Sequence, residues 1–571
     1  MGAAGGGRAY RIVSSIIVLA IVLYIGYRAP PLLPPLLAIA LAFITRQVLV
    51  ALFAGIFVGG LMINDWNVFL GARQSLSWVI ENVTDSWNAT ILIFDFIIGA
   101  FVGVLYVSGS MHDVAAKLLS KVKSSRGASF LASVLGVLIF FDDYSNTVIV
   151  GNTTRPVTDK LRVSRELLSY IVDSTAAPVA GLALISTWIG YEVGLIKESF
   201  ESLAEKAAAG EIAMAPEIEA MAAWIHSVPF RFYSIFAIIL VFLVVLSRRH
   251  FGPMLKAEHR VVKEGKVLRD GAVPLMPTET VLGEPKARGP WWNFVVSVIV
   301  LVVVTIIGMW VTGAEVVGYE KYWWEVPFTE ALMDADAATA LLWGSFAGYV
   351  TAAFFALVTR SLDFEKLMDA TIRGMYLMVL ANAILVLAWT IKSAADAVGT
   401  APYVIDLATK AGVPAILVPA LIFLAAAFIS FTTGTSWGTF ALVMPIAIPL
   451  SWTLALQQGV DPYLPLYASI ASVFAGGIFG DHCSPISDTT IMSSMFSGAD
   501  HIDHVSTQIP YALLAMAISA VLFFLMYIGI THPAILLPVG LVLLVILHRV
   551  LNIAYAKAVN LPPVVPNYTA E

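Results

Sequence analysis

Long apolar runs alternate with short polar stretches along nearly the whole chain. Eleven runs, near 11–28, 36–63, 90–109, 166–196, 229–247, 291–312, 336–359, 374–393, 464–497, 507–529 and 531–550, predict spanning helices. Crossing a hydrocarbon core of roughly 30 Å takes about 20 such residues. Two more segments, near 128–154 and 413–450, are apolar but interrupted in the middle. Each of their arms is about 12–15 residues, short for a full crossing, so each predicts a re-entrant hairpin. The fold class this predicts is an all-α polytopic membrane protein of about 11 spans plus two hairpins.

The interruptions hold the chemistry. Phe141-Asp-Asp-Tyr-Ser-Asn-Thr147 places adjacent acids, Asp142 and Asp143, behind an apolar run. Asp173-Ser-Thr-Ala-Ala-Pro178 and Gly480-Asp-His-Cys-Ser-Pro-Ile-Ser-Asp-Thr-Thr490 break two predicted spans, and Phe431–Thr439 breaks the second hairpin segment. Non-helical backbone at membrane depth survives only against protein or a water-filled cavity. Carboxylates, hydroxyls, an amide and loose carbonyls are all oxygen donors, which suits a small hard cation. Ser484-Pro485 reads as an N-cap followed by proline at the first helical position, leaving Asp481 unwound and Asp488 in the first turn. Blander roles stand beside these. Asp142-Asp143 also fits a cap at a wet loop, and Asp173 fits a structural N-cap. His482 reads as a hydrogen-bonded core histidine ahead of a proton carrier. Asp95, in an unbroken span, reads as half of a buried pair, and Thr432, Thr433, Thr435 and Thr439 suit a bent backbone.

Order along the chain adds a repeat. Phe53-Ala-Gly55, Ser110-Met-His-Asp113, Phe141–Thr147 and Asp173–Pro178 have counterparts in Phe346-Ala-Gly348, Ser393-Ala-Ala-Asp396, Phe431–Thr439 and Asp481–Pro485. Each repeat then holds two spans, a hairpin, a broken span and a fourth span, and the lone span 291–312 inverts the second. The implied parts are an N-terminal extra helix (1–30), a first repeat (31–250), a connecting region (251–335), a second repeat (336–530) and a C-terminal helix and tail (531–571). Inverted repeats whose broken helices meet at the midplane are a secondary-transporter design.

Charge sets the orientation. Lys117, Lys121, Lys123 and Arg126, then Arg155, Lys160, Arg162 and Arg165, then the basic segment 248–290 all fall on one side, whereas 192–228 and 313–340 are acidic. The positive-inside rule places the basic side in the cytoplasm, together with the C-terminus. The first hairpin then enters from the cytoplasm and the second from outside. At 59% hydrophobic, 13% charged and mean hydropathy +0.85, a soluble fold is excluded. The lone Cys483 excludes a disulfide framework or a thiolate metal cluster within the chain. No Gly-Lys-Ser/Thr phosphate loop points to an ATP-driven pump.

The motifs at 141–147, 173–178 and 480–490, supported by Leu33-Pro-Pro-Leu36, Ile44-Thr-Arg-Gln47 and Thr433-Gly-Thr-Ser-Trp-Gly-Thr439, resemble the NhaC-type sodium/proton antiporter family. The resemblance covers roughly 30–530; the long segment 248–290 and the external segment 197–228 depart from it. It implies sodium/proton antiport by an elevator-like alternating access, in a cell inner membrane, by a homodimer. No enzyme activity, cofactor or nucleic-acid partner is expected, only the lipid bilayer and the transported Na⁺ and H⁺. The expected ion-binding set is Asp142, Asp143, Ser145, Asn146, Thr147, Asp173, Ser174, Thr175, Thr433, Thr435, Ser436, Asp481, Ser484 and Asp488. Within it, Na⁺ falls to Asp143, Asn146, Asp173, Thr435 and Asp481, and proton coupling to Asp142, Asp143, Asp173, Asp481 and His482. The alternative is a sodium-coupled or exchange carrier for a small amino acid or carboxylate, held at the helix N-termini near Ser145 and Ser436.

Overall fold

In hydrocarbon every backbone polar group must be satisfied internally, and this chain does so with helices. The computed structural model describes residues 17–45, 47–110, 113, 122–140, 143–183, 186–210, 212–218, 220–275, 289–319, 321–331, 335–400, 403 and 414–570. No β-strand occurs among these residues; two isolated bridges, Ser124 with Thr569 and Pro274 with Asp500, are present.

The helices that matter below are, in chain order, α1 (Ile17–Arg28), α2 (Leu33–Thr45), α3 (Val48–Ile63), α4 (Val68–Thr84) and α5 (Ser86–Val107). Then come α6 (Ser125–Leu138), α7 (Asp143–Lys160), α8 (Arg165–Thr175), α9 (Thr187–Ala208), α10 (Ala220–Ser227), α11 (Phe232–Ser247) and α12 (Pro253–Glu264). A long connecting helix, α13 (Trp291–Val317), leads to α14 (Ala337–Val358), α15 (Phe364–Leu377) and α16 (Val379–Ala397). The last group is α17 (Val418–Thr433), α18 (Ser436–Gln458), α19 (Tyr463–Cys483), α20 (Asp488–Ser497), α21 (His501–Tyr527) and α22 (Pro533–Ala558).

Seven of these, α5, α13, α14, α17, α19, α21 and α22, are long and apolar enough to cross a membrane. The pair α10 and α11, bent by 48° around Arg231, adds an eighth if it crosses as one span. The chain is therefore an all-helical, multi-pass membrane protein.

Several expected single spans are divided. The run 36–63 is two helices, α2 and α3, that fold back along one another. Gly55 lies on the Pro34 carbonyl and Ala38, and Gly59 on Pro34, so only small residues fit the contact. The Thr45 hydroxyl accepts the Gln47 N–H at 3.1 Å and turns the chain between them. The run 166–196 becomes α8, a single turn Ala177–Ala180, and α9. The run 464–497 becomes α19 and α20. Helix α4 was not among the expected elements because it is too polar to span. Asn67 caps it, accepting the Phe69 and Leu70 N–H groups.

Two packed cores flank the breaks. One gathers α8, α9, α11, α17, α19 and α21 around Trp188, Trp224, Phe423 and Phe474. The other gathers α5, α14, α15, α16 and α20 around Phe94, Ile98, Met378 and Phe496. The basic end of the molecule is closed by segment 248–275 and the tail. Arg260 pairs with Glu166 at 2.9 Å, and the Val565 N–H donates to the Arg248 carbonyl. The Ser125 N–H donates to the Tyr568 carbonyl, and the Arg162 guanidinium lies 4.4 Å from the Tyr568 ring centre.

Candidate functional site

The four polar interruptions meet in the interior. Helices stop at Leu138, Thr175, Thr433 and Cys483, and restart at Asp143, Ala177, Ser436 and Asp488. Three of the stops have a local cause. After α8, Ala176 leaves the helical region (φ −85°, ψ −96°), and Pro178 follows within the next turn. After α17, Gly434 adopts the left-handed conformation (φ 71°) against the Ile486 carbonyl, where any Cβ would clash. After α19, Ser484 takes extended backbone and donates its hydroxyl to the Phe431 carbonyl at 2.8 Å, joining the third break to the fourth.

Asn146 ties the first break to the second. Its amide nitrogen donates to the carbonyls of Gly136 (2.5 Å), Ile139 (2.9 Å) and Thr175 (2.9 Å). Its buried Oδ1 has no hydrogen-bond partner. Asp143 opens α7, where the helix dipole favours an acid, and accepts the Trp188 indole N–H at 3.1 Å. Tyr144 donates its hydroxyl to Asp488 Oδ2 at 2.6 Å, which joins the first break to the fourth.

Asp173 and Asp481 anchor the centre. Asp173 Oδ2 accepts from Gln508 (2.6 Å) and Thr490 (3.1 Å), and Oδ1 from Ser493 (3.2 Å). Asp481 Oδ2 accepts from Ser436 at 2.8 Å, and Oδ1 from Ser487 at 2.5 Å. The Thr490 hydroxyl also reaches the Asp481 carbonyl at 3.2 Å, so one side chain links the two acids. Asp143, Asp173 and Asp481 are all buried to within 1% of full enclosure.

Some expected roles change on this geometry. Asp173 sits in the last turn of α8 and is not an N-cap. Asp481 sits in the last turn of α19, not in an unwound stretch; the cap of α20 is Ser487, which accepts the Thr490 N–H, and Ser484 ends α19. Asp488 does lie in the first turn of α20. His482 bridges Ser174 (2.8 Å) and the Tyr233 hydroxyl (2.6 Å), with both ring nitrogens engaged. Thr147, Thr175 and Thr433 donate their hydroxyls to the carbonyls of Tyr144, Ile171 and Ile429. Thr435 caps α18 by accepting the Gly438 N–H. Asp142 and the Ser145 side chain lie outside the described residues.

Sequence reasoning passed over Trp188, Ser493, Gln508 and His504. His504 and Gln508 are bonded to each other at 2.8 Å and stand four residues apart in a run that is otherwise largely apolar downstream. That polar pair on one helix face was the available signal. Beside the cluster, a cavity of about 390 Å³ is lined by Asp85, Trp87, Tyr144, Trp389, Trp437 and Asp488, among others.

Known proteins resemble this chain. Residues 179–529, more than half of the chain, match the model of the Na⁺/H⁺ antiporter family. A Haemophilus influenzae protein described as uncharacterized is 34% identical over 490 residues, covering 84% of this chain and 87% of its own length. An uncharacterized Na⁺/H⁺ antiporter of the same organism is 35% identical over 129 residues, 22% of this chain and 25% of its own. A malate-2H⁺/Na⁺-lactate antiporter of Bacillus subtilis is 37% identical over 94 residues, 16% of this chain and 18% of its own. Buried acids at the meeting of broken helices and a family match across α9 to α21 lead to one conclusion: the chain is a secondary transporter, not an enzyme, and it belongs to the NhaC-type Na⁺/H⁺ antiporter family.

Proposed function

We propose that the protein exchanges Na⁺ for protons, with the two ions loading one carboxylate cluster in turn. The observation that carries this reading is the company its acids keep. Asp173, Asp481 and Asp488 are held by hydroxyl, amide and backbone N–H donors, and none pairs with Lys or Arg among the described residues. Several unpaired carboxylates in a protein interior need a cation or a proton. Asn146 Oδ1 and the oxygens of Thr435 and Ser436 add neutral donors of the hard type such a cation takes.

In this reading, α6 and α7 form one re-entrant hairpin and α17 and α18 its counterpart, with α8 and α19 as the broken spans that face them. The two sets recur in the same order, which supports inverted repeats and an elevator-like exchange of access. The protein then works as a homodimer in a cell inner membrane, with its basic end and C-terminus in the cytoplasm. Asp143 belongs to the hairpin tip that delivers charge to the site.

A second reading rests on the cavity. At about 390 Å³ it exceeds what a bare ion needs, and Trp87, Trp389 and Trp437 line it together with Asp85 and Asp488. A sodium-coupled or exchange carrier for a small amino acid or carboxylate would use that space, as the name of the Bacillus subtilis relative suggests for its own substrates.

Competition for one site has a signed consequence. Protons added to the cluster displace Na⁺, so apparent Na⁺ affinity should fall as pH is lowered from about 9 to about 6, where buried carboxyls can titrate. The slope should approach about tenfold per pH unit for each competing proton. Isothermal titration of the purified protein with NaCl at several pH values measures it. A pH-independent affinity would separate the two ions and sink the shared-site reading.

A further inference from the structure

Asp95 lies outside the cluster just described. It sits in the middle of α5, fully enclosed, and neither of its carboxyl oxygens has a hydrogen-bond partner. Among the described residues no charged partner of the kind expected from the sequence pairs with it. What faces Asp95 follows from the glycine contacts between α5 and α15. Gly103 rests on the Ala370 carbonyl, and Gly99 on the Gly374 carbonyl and Met378. The two helices run in opposite directions with this register. Asp95, one turn before Gly99, is therefore carried to the turn Met378–Asn382, where α15 gives way to α16.

Asn382 is buried at that turn. Its amide nitrogen donates to the Leu92 carbonyl at 3.2 Å, one turn before Asp95, and its Oδ1 has no partner. The Leu92 carbonyl can only accept, so it holds the amide nitrogen on its own side and fixes which way the carboxamide is turned. Helical side chains lean toward the N-terminus, which sets the Asp95 carboxyl over the turn that Asn382 occupies. The two Asp95 oxygens and Asn382 Oδ1 are thus three buried acceptors without a partner at neighbouring turns, and the second Asn382 N–H does not reach Asp95 in this structure.

Among the described side chains, no charge from the packed elements answers Asp95. On α15, Asp369 and Arg373 pair with each other on the exposed face, and Glu365 and Tyr376 are exposed. Lys366 pairs with Asp363. On α14, Tyr349 bonds Thr371, and on α4, Arg73 and Glu81 are exposed. Three oxygens also fall short of the roughly six that a hard cation gathers.

We propose that Asp95 and Asn382 form a second proton-binding site, in which the protonated Asp95 carboxyl donates to Asn382 Oδ1. One proton satisfies both orphaned side chains, and its loss leaves a bare charge between α5 and α16. Helix α16 runs from this site to Trp389 and Ser393 at the cavity, so protonation here is linked to how α16 packs beside the ion cluster. The proposal is independent of which cargo the cluster carries.

Infrared spectroscopy of the full-length protein in vesicles at neutral pH tests it without any transport measurement. The wild type minus Asp95→Asn difference should show the carbonyl band of one protonated carboxylic acid, because the central carboxyls cancel. Asparagine mimics the neutral acid in shape, and the variant is expected to fold. In Asn382→Ala, as an independent arm, the band should persist and move to higher frequency as the acid loses its acceptor. A difference spectrum without the acid band means that Asp95 is ionised, and a band unmoved in Asn382→Ala means that Asn382 is not its partner. Either result overturns the proposal.

Discussion

Replacing Asp481 with asparagine is expected to abolish ion exchange while leaving the protein folded in the membrane. Among the described residues its hydrogen-bond partners are Ser436 and Ser487, whose hydroxyls can either donate or accept, so a carboxamide of the same shape keeps both contacts. What disappears is the charge. Removing one partner of a buried ion pair costs about 3–5 kcal/mol. For a bound cation that is a loss of roughly two to four orders of magnitude in affinity. Radiolabelled sodium uptake into vesicles, normalised to the amount of reconstituted protein, measures it. An Asp481→Asn protein exchanging at the wild-type rate would remove Asp481 from the site.

The second large effect concerns stability. Arg231 lies at the bend between α10 and α11, fully buried, with Nη1 2.8 Å from Glu192 Oε2 and also bonded to the Gly181 carbonyl. Its guanidinium packs 4.2 Å from the Phe474 ring centre and 4.5 Å from that of Trp224. The Trp224 indole also donates to Glu192. Arg231→Leu would leave Glu192 as an uncompensated buried charge and should destabilise the protein by about 3–5 kcal/mol. The double variant Arg231→Leu/Glu192→Leu should regain much of that loss, because an apolar pair can replace a buried ion pair at little cost. Thermal unfolding in detergent checks both. A double variant as unstable as the single one would show that packing, not charge, sets the effect.

Much of this was legible in the chain because hydrocarbon is an unforgiving solvent. Apolar runs announced helices, and polar residues inside them announced where helices stop. The stops at Leu138, Thr175, Thr433 and Cys483 fall in or beside the four polar stretches. Less legible was how each stop is made. Ser484-Pro485 has the look of a helix start, yet the cap is Ser487, because Ser484 turns its hydroxyl to Phe431 in another helix. That choice depends on a tertiary contact. The same holds for 36–63, whose length suits one span. Its division into α2 and α3 depends on the close seat of Gly55 against Pro34. Trp188, Ser493 and Gln508 were missed because a hydroxyl, an amide or an indole in a membrane helix has many uses, and only its neighbour reveals which. Asp95 was noticed, but its lack of a charged partner was not, since burial is visible in a hydropathy pattern and the absence of a countercharge is not.

The central claim is that Na⁺ and protons alone suffice for turnover. In vesicles holding the purified protein and a pH-sensitive dye, with no organic solute present, an outward Na⁺ gradient should acidify the lumen, and reversing the gradient should reverse the proton flux. A proton flux that appears only after an amino acid or carboxylate is added would contradict the account and give the site to the organic cargo.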